Sequence, residues 1–324
     1  MSKAIRIHEF GGPEVMRWES VEVAAPGPGE ALVRHTAVGL NYIDVYHRSG
    51  LYPLPLPATL GMEGAGVVEA VGEGVGEVQV GDRVAYANPP PGSYCQRRVM
   101  PAHRLVTLPK DIGDQQAAAM MLQGMTAQYL LRRTYKVQAG DTILVHAAAG
   151  GVGLMMCQWA QHLGVTVIGT VGSDAKAELA RAHGCAHPIV YTRENFVEKV
   201  REITNGAMVP VVYDSVGKDT FMGSLDCLRP LGMLVSFGQS SGKVAPLDTG
   251  LLAAKGSLFL TRPSLMTYTA KREDLVASAA ELFDVVERGF VRVEVNQTYP
   301  LSEAATAHRD LEGRKTTGST VLLP

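Results

Sequence analysis

Hydrophobic and polar positions change their spacing along the chain, and the first third has the pattern of a β-rich domain. Short runs with β-branched residues lie between Gly and Pro positions and predict strands. These runs include Ala4 to Ile7, Glu30 to Val38 and Gly64 to Val71. Turns are predicted at Ala24 to Glu30 and within Val71 to Ala85, where Gly recurs at short intervals. Pro53 to Gly61 is too rich in Pro for a central strand or a helix.

The middle of the chain alternates between helical and strand patterns. A helical period begins at Asp114, which is predicted to be its N-cap. Beyond it, apolar runs typical of buried strands alternate with helical runs that end in Gly. In chain order these are Thr142 to Ala148 (strand), Gly153 to Gly164 (helix), Val165 to Val171 (strand) and Asp174 to Gly184 (helix), then PVVYDSV and GMLVSFG. The alternation predicts an α/β fold with a doubly wound parallel sheet.

The length of 324 residues exceeds that of one typical core and predicts two domains. We place the β-rich part at residues 1–125 and the parallel-sheet domain at 126–262. Residues 263–324 return to mixed helix and strand patterns. Composition leaves open whether this last segment rejoins the first domain.

Composition argues against several classes of partner and site. The formal net charge of −2 provides no global field for binding nucleic acid or an anionic membrane, so neither partner is predicted. The four cysteines lack C-x-x-C spacing, which argues for reduced thiols and against a zinc site. The N-terminal residues lack the apolar core of a signal peptide, and no apolar run is long enough to span a bilayer. We therefore expect a cytoplasmic protein.

The segment AAAGGVG carries the clearest chemical signal. It occupies Ala147 to Gly153, between a predicted strand and a predicted helix, which is the context of a dinucleotide-binding turn. Glycines let backbone N–H groups approach a pyrophosphate, and the positive end of the following helix points at the same charge. Gly153 also allows that helix to pack closely on the strand. The residues predicted to contact the nucleotide are Ala149, Gly150, Gly151, Val152 and Gly153.

The end of the next predicted strand bears on the choice of nucleotide. An NAD site places an Asp or Glu there to hold the ribose 2′-hydroxyl, whereas this chain has Thr-Val-Gly at residues 170–172. Ser173 and Lys176 follow, and a hydroxyl with an ammonium group suits a 2′-phosphate. Asp174 is predicted to cap the next helix, and a displaced NAD-type acid is the alternative. The pattern favours NADPH.

Several segments together resemble the medium-chain dehydrogenase/reductase superfamily and its quinone oxidoreductase branch, the zeta-crystallin-like reductases. The resemblance extends over essentially the whole chain, and NYIDVYHRSGLYP is far more specific than the Gly motif. The segments are GLNYIDVYHRSGLYP (Gly39 to Pro53), GMEGAGVVEAVG (Gly61 to Gly72), VGDRVA (Val80 to Ala85), AAAGGVG (Ala147 to Gly153) and VVYDSVGKDT (Val211 to Thr220).

The resemblance implies a GroES-like catalytic domain that is interrupted by a Rossmann domain and completed by the C-terminal segment. It also implies a cofactor cleft between the two domains and a homodimer. The apolar strand in KGSLFLTRPS, near Leu258 to Arg262, would pair with its copy in the second subunit. Such pairing agrees with the rule that exposed sheet edges must be covered.

The chain departs from the zinc alcohol dehydrogenases of the same superfamily. Those enzymes have a Cys where this chain has Asn41, and Gly-His-Glu where it has Gly61, Met62 and Glu63. Their structural-zinc loop carries four Cys, whereas ANPPPGSYCQRR contains Cys95 alone. A catalytic zinc needs about three protein ligands, so no metal site is predicted. Quinones and enones accept a hydride without a metal, because the charge delocalises onto oxygen.

The matching motifs also imply roles for individual residues. Asn41, Tyr46 and Tyr52 would line the nicotinamide and acceptor cleft as catalytic residues, with a helix cap and aromatic packing as their structural alternatives. Further cofactor contacts are predicted at the carboxyl ends of strands and at the domain junction. These residues are Thr126, Tyr191, Phe237, Gly238, Gln239 and, near the C-terminus, Arg314 with Lys315 as an equal candidate.

The leading functional prediction is therefore an NADPH-dependent quinone reductase. An NADPH-dependent reductase of conjugated aldehydes or ketones would use the same parts, so the sequence leaves this alternative open. A non-catalytic NADPH-binding protein of the crystallin kind, or an RNA-binding protein, is a further alternative. Against RNA binding, the chain has neither a large charge excess nor an aromatic-basic motif.

Overall fold

The computed structural model describes residues 2–324, whose strands begin near the N-terminus and alternate with helices in the middle of the chain. The strands are β1 (Ser2–Ile7), β2 (Arg17–Val21), β3 (Glu30–Leu40), β4 (Ala58–Thr59), β5 (Glu63–Val71), β6 (Arg83–Ala87), β7 (Arg97–Pro101), β8 (Val106–Thr107), β9 (Thr142–Val145), β10 (Thr166–Val171), β11 (His187–Val190), β12 (Val209–Asp214), β13 (Leu228–Ser236), β14 (Phe259–Thr261), β15 (Val295–Pro300) and β16 (Ser319–Leu323).

Most helices lie in the second half of the chain. They are α1 (Tyr42–Arg48), α2 (Asp114–Ala118), α3 (Met121–Tyr129), α4 (Gly151–His162), α5 (Asp174–Ala182), α6 (Phe196–Ile203), α7 (Phe221–Asp226), α8 (Gly250–Ala254), α9 (Leu265–Tyr268), α10 (Arg272–Glu287) and α11 (Ala304–Glu312). Single helical turns are found at Pro13–Val15, Ala102–Arg104 and Leu301–Glu303, and a π-helical turn at Leu130–Thr134.

Two compact units divide the chain. Unit 1 comprises Met1–Met125, Thr269–Glu287 and Val293–Pro324. Unit 2 comprises Thr126–Tyr268 and Arg288–Arg292. The second unit thus extends beyond residue 262, the sequence-based boundary, because α9 belongs to it.

Unit 2 is built around a parallel sheet with the order β11-β10-β9-β12-β13-β14. Numbered within the unit this order is 3-2-1-4-5-6, the doubly wound arrangement of dinucleotide-binding folds. Because helices cover both faces of such a sheet, most of its strand positions are apolar, and a continuous core forms on one face. This core includes Leu144, Ile168, Ile189, Val212 and Leu234. The predicted α/β fold with a doubly wound sheet is confirmed.

Unit 1 is rich in antiparallel strands. Its larger sheet has the order β15-β16-β3-β5-β6-β8, with β7 also paired to β3, and a smaller sheet has the order β2-β1-β4. The late strand β16 pairs with β3 from the beginning of the chain, so the C-terminal segment completes this sheet. Its two cores lie around Ile7, Leu40 and Leu60 and around Val33, Val84 and Leu105. The predicted β-rich first part is confirmed.

The helix predicted from Asp114 differs from the observed structure in two ways. The helical segment is divided into α2, which ends at Ala118, and α3, which begins at Met121, and its N-cap is a different residue. Gly113 is the N-cap and Asp114 the first helical residue, so the predicted capping role is wrong. The Asp114 carboxylate instead accepts hydrogen bonds from Arg83 Nε (2.9 Å) and Thr36 Oγ1 (2.7 Å). These partners are distant in sequence, and local pattern does not reveal them.

Candidate active site

The glycine loop connects β9 to α4 in unit 2. Gly150 is the N-cap of α4, and Ala147 takes a left-handed conformation with φ of 54°. A Cβ on Gly153 would lie 2.3 Å from Ala147 O, so only glycine allows α4 to approach the loop backbone this closely. The first backbone N–H groups of α4, which have no partner inside the helix, are therefore presented at the loop, where an anion would bind.

Residues predicted to bind the cofactor gather at one edge of the unit 2 sheet. Because its strands are parallel, their carboxyl ends meet at the same edge, which is where ligands bind in open α/β sheets. The glycine loop follows β9, and three further groups follow β10, β11 and β13. These groups are Ser173 with Lys176, Tyr191, and Phe237 with Gly238 and Gln239.

The helix after β10, α5, is capped by a different residue from the predicted one. Ser173 is the N-cap of α5, and its Oγ accepts a hydrogen bond from Lys176 N at 3.4 Å. Asp174 is the first helical residue, so its predicted capping role is wrong. Its carboxylate is exposed and pairs with Arg193. No acid occupies the strand end itself, where Val171 is buried and Gly172 follows.

Tyr191 lies beside Gly172. Its backbone N–H donates to Val171 O at 3.1 Å, which continues the pairing of β10 with β11 by one step. A Cβ on Gly172 would be 3.0 Å from the Tyr191 hydroxyl oxygen, so a larger residue would displace the ring. The side chain of Tyr191 is 41% exposed, which agrees with a contact surface and argues against the alternative of a core aromatic residue.

A buried polar network lies beneath the glycine loop. His146, the residue after β9, bonds Thr170 Oγ1 through Nδ1 (2.8 Å) and Ser224 Oγ through Nε2 (2.9 Å). Ser224 Oγ donates in turn to Asp214 Oδ2 at 3.0 Å. Since that hydroxyl has one hydrogen, His146 must donate to it from Nε2 and accept from Thr170 at Nδ1. Burial lowers the pKa of His146, although the charge of Asp214 opposes the shift.

Asp214 organises the turns that follow β12 and β13. Its Oδ1 accepts from the backbone N–H groups of Val216 (2.8 Å) and Gly217 (3.0 Å) and from Thr220 Oγ1 (2.9 Å). Its backbone carbonyl accepts from Phe237 N at 2.8 Å. The segment Phe237 to Gln239 is therefore held by the end of the neighbouring strand.

Asn41 is the N-cap of α1 in unit 1. Its backbone N–H donates to Asp44 Oδ2 at 2.9 Å, as in a capping box. Nδ2 donates to Glu63 Oε2 at 2.6 Å, and Oδ1 accepts from Gln123 Nε2 at 3.2 Å. Gln123 Oε1 accepts from Ser319 Oγ at 2.8 Å. The Asn41 amide is thus fixed at both ends, and Glu63 takes one of its two Nδ2 hydrogens.

Three tyrosines cluster on and beside α1. The ring centroids of Tyr42 and Tyr46 are 5.5 Å apart, and those of Tyr46 and Tyr52 are 5.2 Å apart in an edge-on arrangement. Tyr46 is 8% exposed, whereas Tyr52 is partly exposed. His47 packs edge-on against Tyr52, with ring centroids 6.3 Å apart. The two predicted catalytic tyrosines, Tyr46 and Tyr52, therefore pack directly against each other.

A second buried chain of polar groups ends on Asp44. The Tyr94 hydroxyl donates to Asp44 Oδ2 at 3.0 Å and lies 3.1 Å from His308 Nε2. Arg48 donates to His308 Nδ1 at 3.0 Å and forms a two-point ion pair with Glu312 at 2.8 Å for each bond. Burial, assisted by the charge of Arg48, lowers the pKa of His308 to about 3, so the ring is neutral and donates from Nε2. This chain ties α11 to α1.

Two fully buried carboxyl groups therefore support α1. Burial raises the pKa of Glu63 to about 8, although hydrogen bonds from Asn41 and Leu122 N lower it; the charge of nearby Asp44 adds to the rise. Burial likewise raises the pKa of Asp44 to about 7, against hydrogen bonds from Asn41 N and Tyr94. Within residues 2–324, Asp44 Oδ1 has no hydrogen-bond partner, which also disfavours the charged form.

These shifts predict a pH-dependent stability. An unfolded Glu ionises near pH 4.5, whereas folded Glu63 keeps its proton up to about pH 8. The stability that this proton provides is complete below the unfolded pKa and is lost as the pH rises through the folded pKa. We expect Glu63→Gln, which cannot titrate, to remove about 2–4 kcal/mol of the decline in unfolding free energy between about pH 5 and about pH 9.

Urea unfolding midpoints measured across this pH range test the expectation. Glu69→Gln is the matched control, because Glu69 lies on the same strand as Glu63 and its ion pair with Arg97 lowers its pKa instead. Equal pH slopes for the wild-type protein and Glu63→Gln would show that Glu63 does not carry the effect.

Comparison with known proteins shows the family. The model for the alcohol dehydrogenase GroES-like domain matches residues 27–137, and the zinc-binding dehydrogenase model matches residues 151–282. The quinone oxidoreductase of Pseudomonas aeruginosa is 56% identical over 325 residues, with 100% of both chains covered. The chain belongs to the quinone oxidoreductase branch of the medium-chain dehydrogenase/reductase superfamily.

Two further relatives bear on the chemistry. The structure of the Escherichia coli quinone oxidoreductase, solved in complex with NADPH, has a TM-score of 0.98 and 48% identity, covering 99% of this chain and 100% of that one. A 2-haloacrylate reductase from Burkholderia is 50% identical over 332 residues, covering 100% of this chain and 99% of the relative. The resemblance inferred from the sequence motifs is confirmed.

In this family member the predicted site residues fall into two groups. Asn41, Tyr46 and Tyr52 lie together in unit 1, and the glycine loop with the other strand-end residues lies in unit 2. Thr126, the first residue of unit 2, is buried within α3. Arg314 is an exposed residue of unit 1. Burial raises the pKa of Tyr42, and the charge of Arg314 opposes this rise.

Motif reasoning missed the residues that hold this quinone oxidoreductase's site in shape. Glu63, Gln123 and Ser319 fix Asn41. Ser224, itself bonded to Asp214, holds His146, the residue that precedes the glycine loop. For Asp214 the available signal was a lone charged residue in the apolar run PVVYDSV, whereas Glu63 precedes the predicted strand Gly64 to Val71 and carried no such signal. Among residues 2–324, no group of three or more His, Cys, Asp or Glu is arranged to hold a metal ion. No helix in the described part of the chain is long and apolar enough to cross a membrane.

Proposed function

We propose that this protein transfers a hydride from NADPH to a quinone. The observation that carries the proposal is the acid-free end of β10, with Ser173 and Lys176 beside an intact glycine loop, in a chain 56% identical to a curated quinone oxidoreductase. Ser173 and Lys176 suit a 2′-phosphate, whereas an acid at Val171 would repel it.

The geometry of unit 2 fits a dinucleotide. Gly150, Gly151 and the N-terminus of α4 would hold the pyrophosphate, with Ala149 and Val152 flanking it. Tyr191 would contact the adenosine end, and Phe237 to Gln239 would approach the nicotinamide from the end of β13. Thr126 and Arg314 are further proposed contacts. When bound, NADPH supplies the hydride, and the protein supplies orientation and electrostatics.

The residues of unit 1 would bind and polarise the acceptor. We assign to Asn41 the donation of its second Nδ2 hydrogen to an acceptor or nicotinamide oxygen, because Glu63 and Gln123 fix the amide. A donor held in place costs no reorganisation when negative charge develops on the acceptor oxygen. Tyr46 would donate a second hydrogen bond, and Tyr52 would stack on the acceptor ring.

We further propose that the reaction needs no metal. Asn41 and Met62 stand where the zinc enzymes have Cys and His, and the Glu63 carboxylate already accepts from Asn41 Nδ2 and Leu122 N. A conjugated acceptor delocalises the incoming charge, so a Lewis acid is dispensable.

A conjugated acid or carbonyl compound is the second candidate for the acceptor. The Burkholderia 2-haloacrylate reductase, at 50% identity over its whole length, supports this alternative. Both acceptor classes carry an oxygen that gains negative charge after hydride addition, so the Asn41 amide would serve either.

Initial rates of NADPH oxidation test these proposals. The purified protein is mixed with NADPH or NADH and with 1,4-benzoquinone, 2-chloroacrylate, a plain enone or a simple aldehyde, each with and without a chelator. We expect rapid oxidation of NADPH by the quinone, after subtraction of the uncatalysed rate, with no effect of the chelator. Turnover confined to the unsaturated acid or enone would select the second candidate. Tight NADPH binding without any turnover would favour the non-catalytic alternative.

We also propose that the protein is a homodimer paired through β14. This short strand is the edge of the unit 2 sheet, and Phe259 and Leu260 are 55% and 38% exposed. An exposed apolar edge is normally covered, and a second copy of β14 would cover it isologously.

Light scattering with size exclusion tests the dimer. Phe259→Lys combined with Leu260→Lys should convert a dimer into a monomer, because the charges would face each other across the twofold axis. Val80→Lys is the matched control, since Val80 is 61% exposed and belongs to unit 1, not to the unit 2 sheet. A monomeric wild-type protein would refute the proposal.

We propose that the protein is cytoplasmic, and the state of its cysteines supports this location. Cys95, Cys157, Cys185 and Cys227 are all buried free thiols, as expected in a reducing compartment.

A further inference from the structure

The turns after β10 and β11 leave the sheet side by side. The two strands are parallel, with Val171 opposite Val190, so the residues that follow each strand remain neighbours. Thr192 Oγ1 donates to Gly172 O at 3.4 Å across the two turns. One turn carries Ser173 and the other carries Tyr191, so both belong to the region proposed for the adenosine end of the cofactor.

A two-point ion pair joins the same two turns. Arg193 Nη1 donates to Asp174 Oδ2 at 2.6 Å, and Nη2 donates to Oδ1 at 2.5 Å. The side chains are 57% and 70% exposed, so packing does not force them together. The fork of the guanidinium matches both carboxylate oxygens, and the pairing holds the pKa of Asp174 below its usual range.

The position of Asp174 makes this pair consequential. Asp174 is the first residue of α5 and directly follows Ser173, the cap that we assign to the 2′-phosphate. An acid at the end of this strand binds a ribose 2′-hydroxyl and repels a 2′-phosphate, and a free Asp174 carboxylate just beyond the strand end would act in the same way. The chain therefore carries an NAD-type acid close to an NADP-type hydroxyl and ammonium group.

We propose that Arg193 determines cofactor specificity by neutralising Asp174, which allows the site to accept a 2′-phosphate. This inference rests on the proposed use of NADPH. A neutralised carboxylate neither repels the phosphate nor offers a free acceptor to a ribose hydroxyl. The cofactor specificity of the site thus depends on Arg193, in the turn after β11, as well as on Ser173 and Lys176.

Titrations of NADPH and NADH with four variants test the role of Arg193. Arg193→Gln should lower the ratio of the NADH Kd to the NADPH Kd about tenfold, because Asp174 is then free. Asp174→Asn should keep or raise the ratio. The double variant should return the ratio to within about twofold of the wild-type value, since no carboxylate remains to be neutralised. Arg181→Gln on α5, which breaks the exposed pair with Glu178, is the matched control and should have no effect.

The outcomes separate the inference from the proposed function. Arg193→Gln with an unchanged ratio would overturn the inference alone. A double variant as impaired as Arg193→Gln would show that Arg193 binds the phosphate itself, which also overturns the neutralising role. A wild-type protein without preference for NADPH would overturn the cofactor assignment and the inference with it. At about 1 M NaCl the effect of Arg193→Gln should shrink, as an exposed electrostatic effect must.

Discussion

Replacing Asp214 by Ala is expected to lower the free energy of unfolding by about 3–5 kcal/mol. The Asp214 carboxylate is fully buried and accepts hydrogen bonds from two backbone N–H groups and from the hydroxyls of Thr220 and Ser224. Alanine would leave these donors buried without a partner, which costs more than the loss of the bonds alone. The His146 ring would also lose its link to the carboxylate through Ser224.

Urea unfolding measures this loss, and two variants calibrate it. Asp219→Ala changes an exposed Asp of the same connection and should cost less than about 0.5 kcal/mol. Asp214→Asn keeps one acceptor oxygen, so its loss of unfolding free energy should lie between those of Asp214→Ala and Asp219→Ala. A loss below about 1 kcal/mol for Asp214→Ala would mean that water replaces the carboxylate at these donors.

Gly153→Ala is expected to weaken NADPH binding about 100-fold or more, which corresponds to about 2.7 kcal/mol. The added Cβ would lie 2.3 Å from Ala147 O and 2.8 Å from Ala148 C, and both atoms are backbone. The clash therefore moves either the glycine loop or the start of α4, and the N–H groups proposed for the pyrophosphate lose their common direction. Overpacking of this kind should also cost about 1–3 kcal/mol of stability.

Fluorescence titration with NADPH checks this expectation, with unfolding measured alongside. Gly76→Ala is the control, because nothing lies within 4 Å of its added Cβ. The control should bind NADPH like the wild-type protein. Wild-type affinity in Gly153→Ala would exclude the glycine loop as the pyrophosphate site.

The local parts of the fold could be predicted from the sequence because they depend on neighbouring residues. The alternation of apolar runs with Gly-terminated helices predicts the parallel sheet, and the glycine loop is recognised by its place between a strand and a helix. The same local reasoning misplaced the caps at Asp114 and Asp174 by one residue. Asp side chains suit both the N-cap and the first turn, and distant partners such as Arg83 and Arg193 decide between them.

The support of the candidate site could not be predicted, because it is assembled across the chain. Asn41 is fixed by Glu63 from β5, Gln123 from α3 and, through Gln123, Ser319 from β16. No spacing in the sequence links these positions, and each is an ordinary polar residue when considered alone. Motifs identify residues that contact ligands, whereas the groups that orient them become visible only in three dimensions.

The order of synthesis separates the two sheets in time. Every strand of the unit 2 sheet precedes Tyr268, whereas β16 is made later and pairs with Val38 to Leu40 of β3. Until residues 319–323 leave the ribosome, this part of β3 has an open edge on that side. Asn41 directly follows β3, and its partner Gln123 gains the hydrogen bond from Ser319 only when β16 is in place. A nascent chain can therefore complete the unit 2 sheet first, whereas the proposed acceptor site is complete only after β16 has paired with β3.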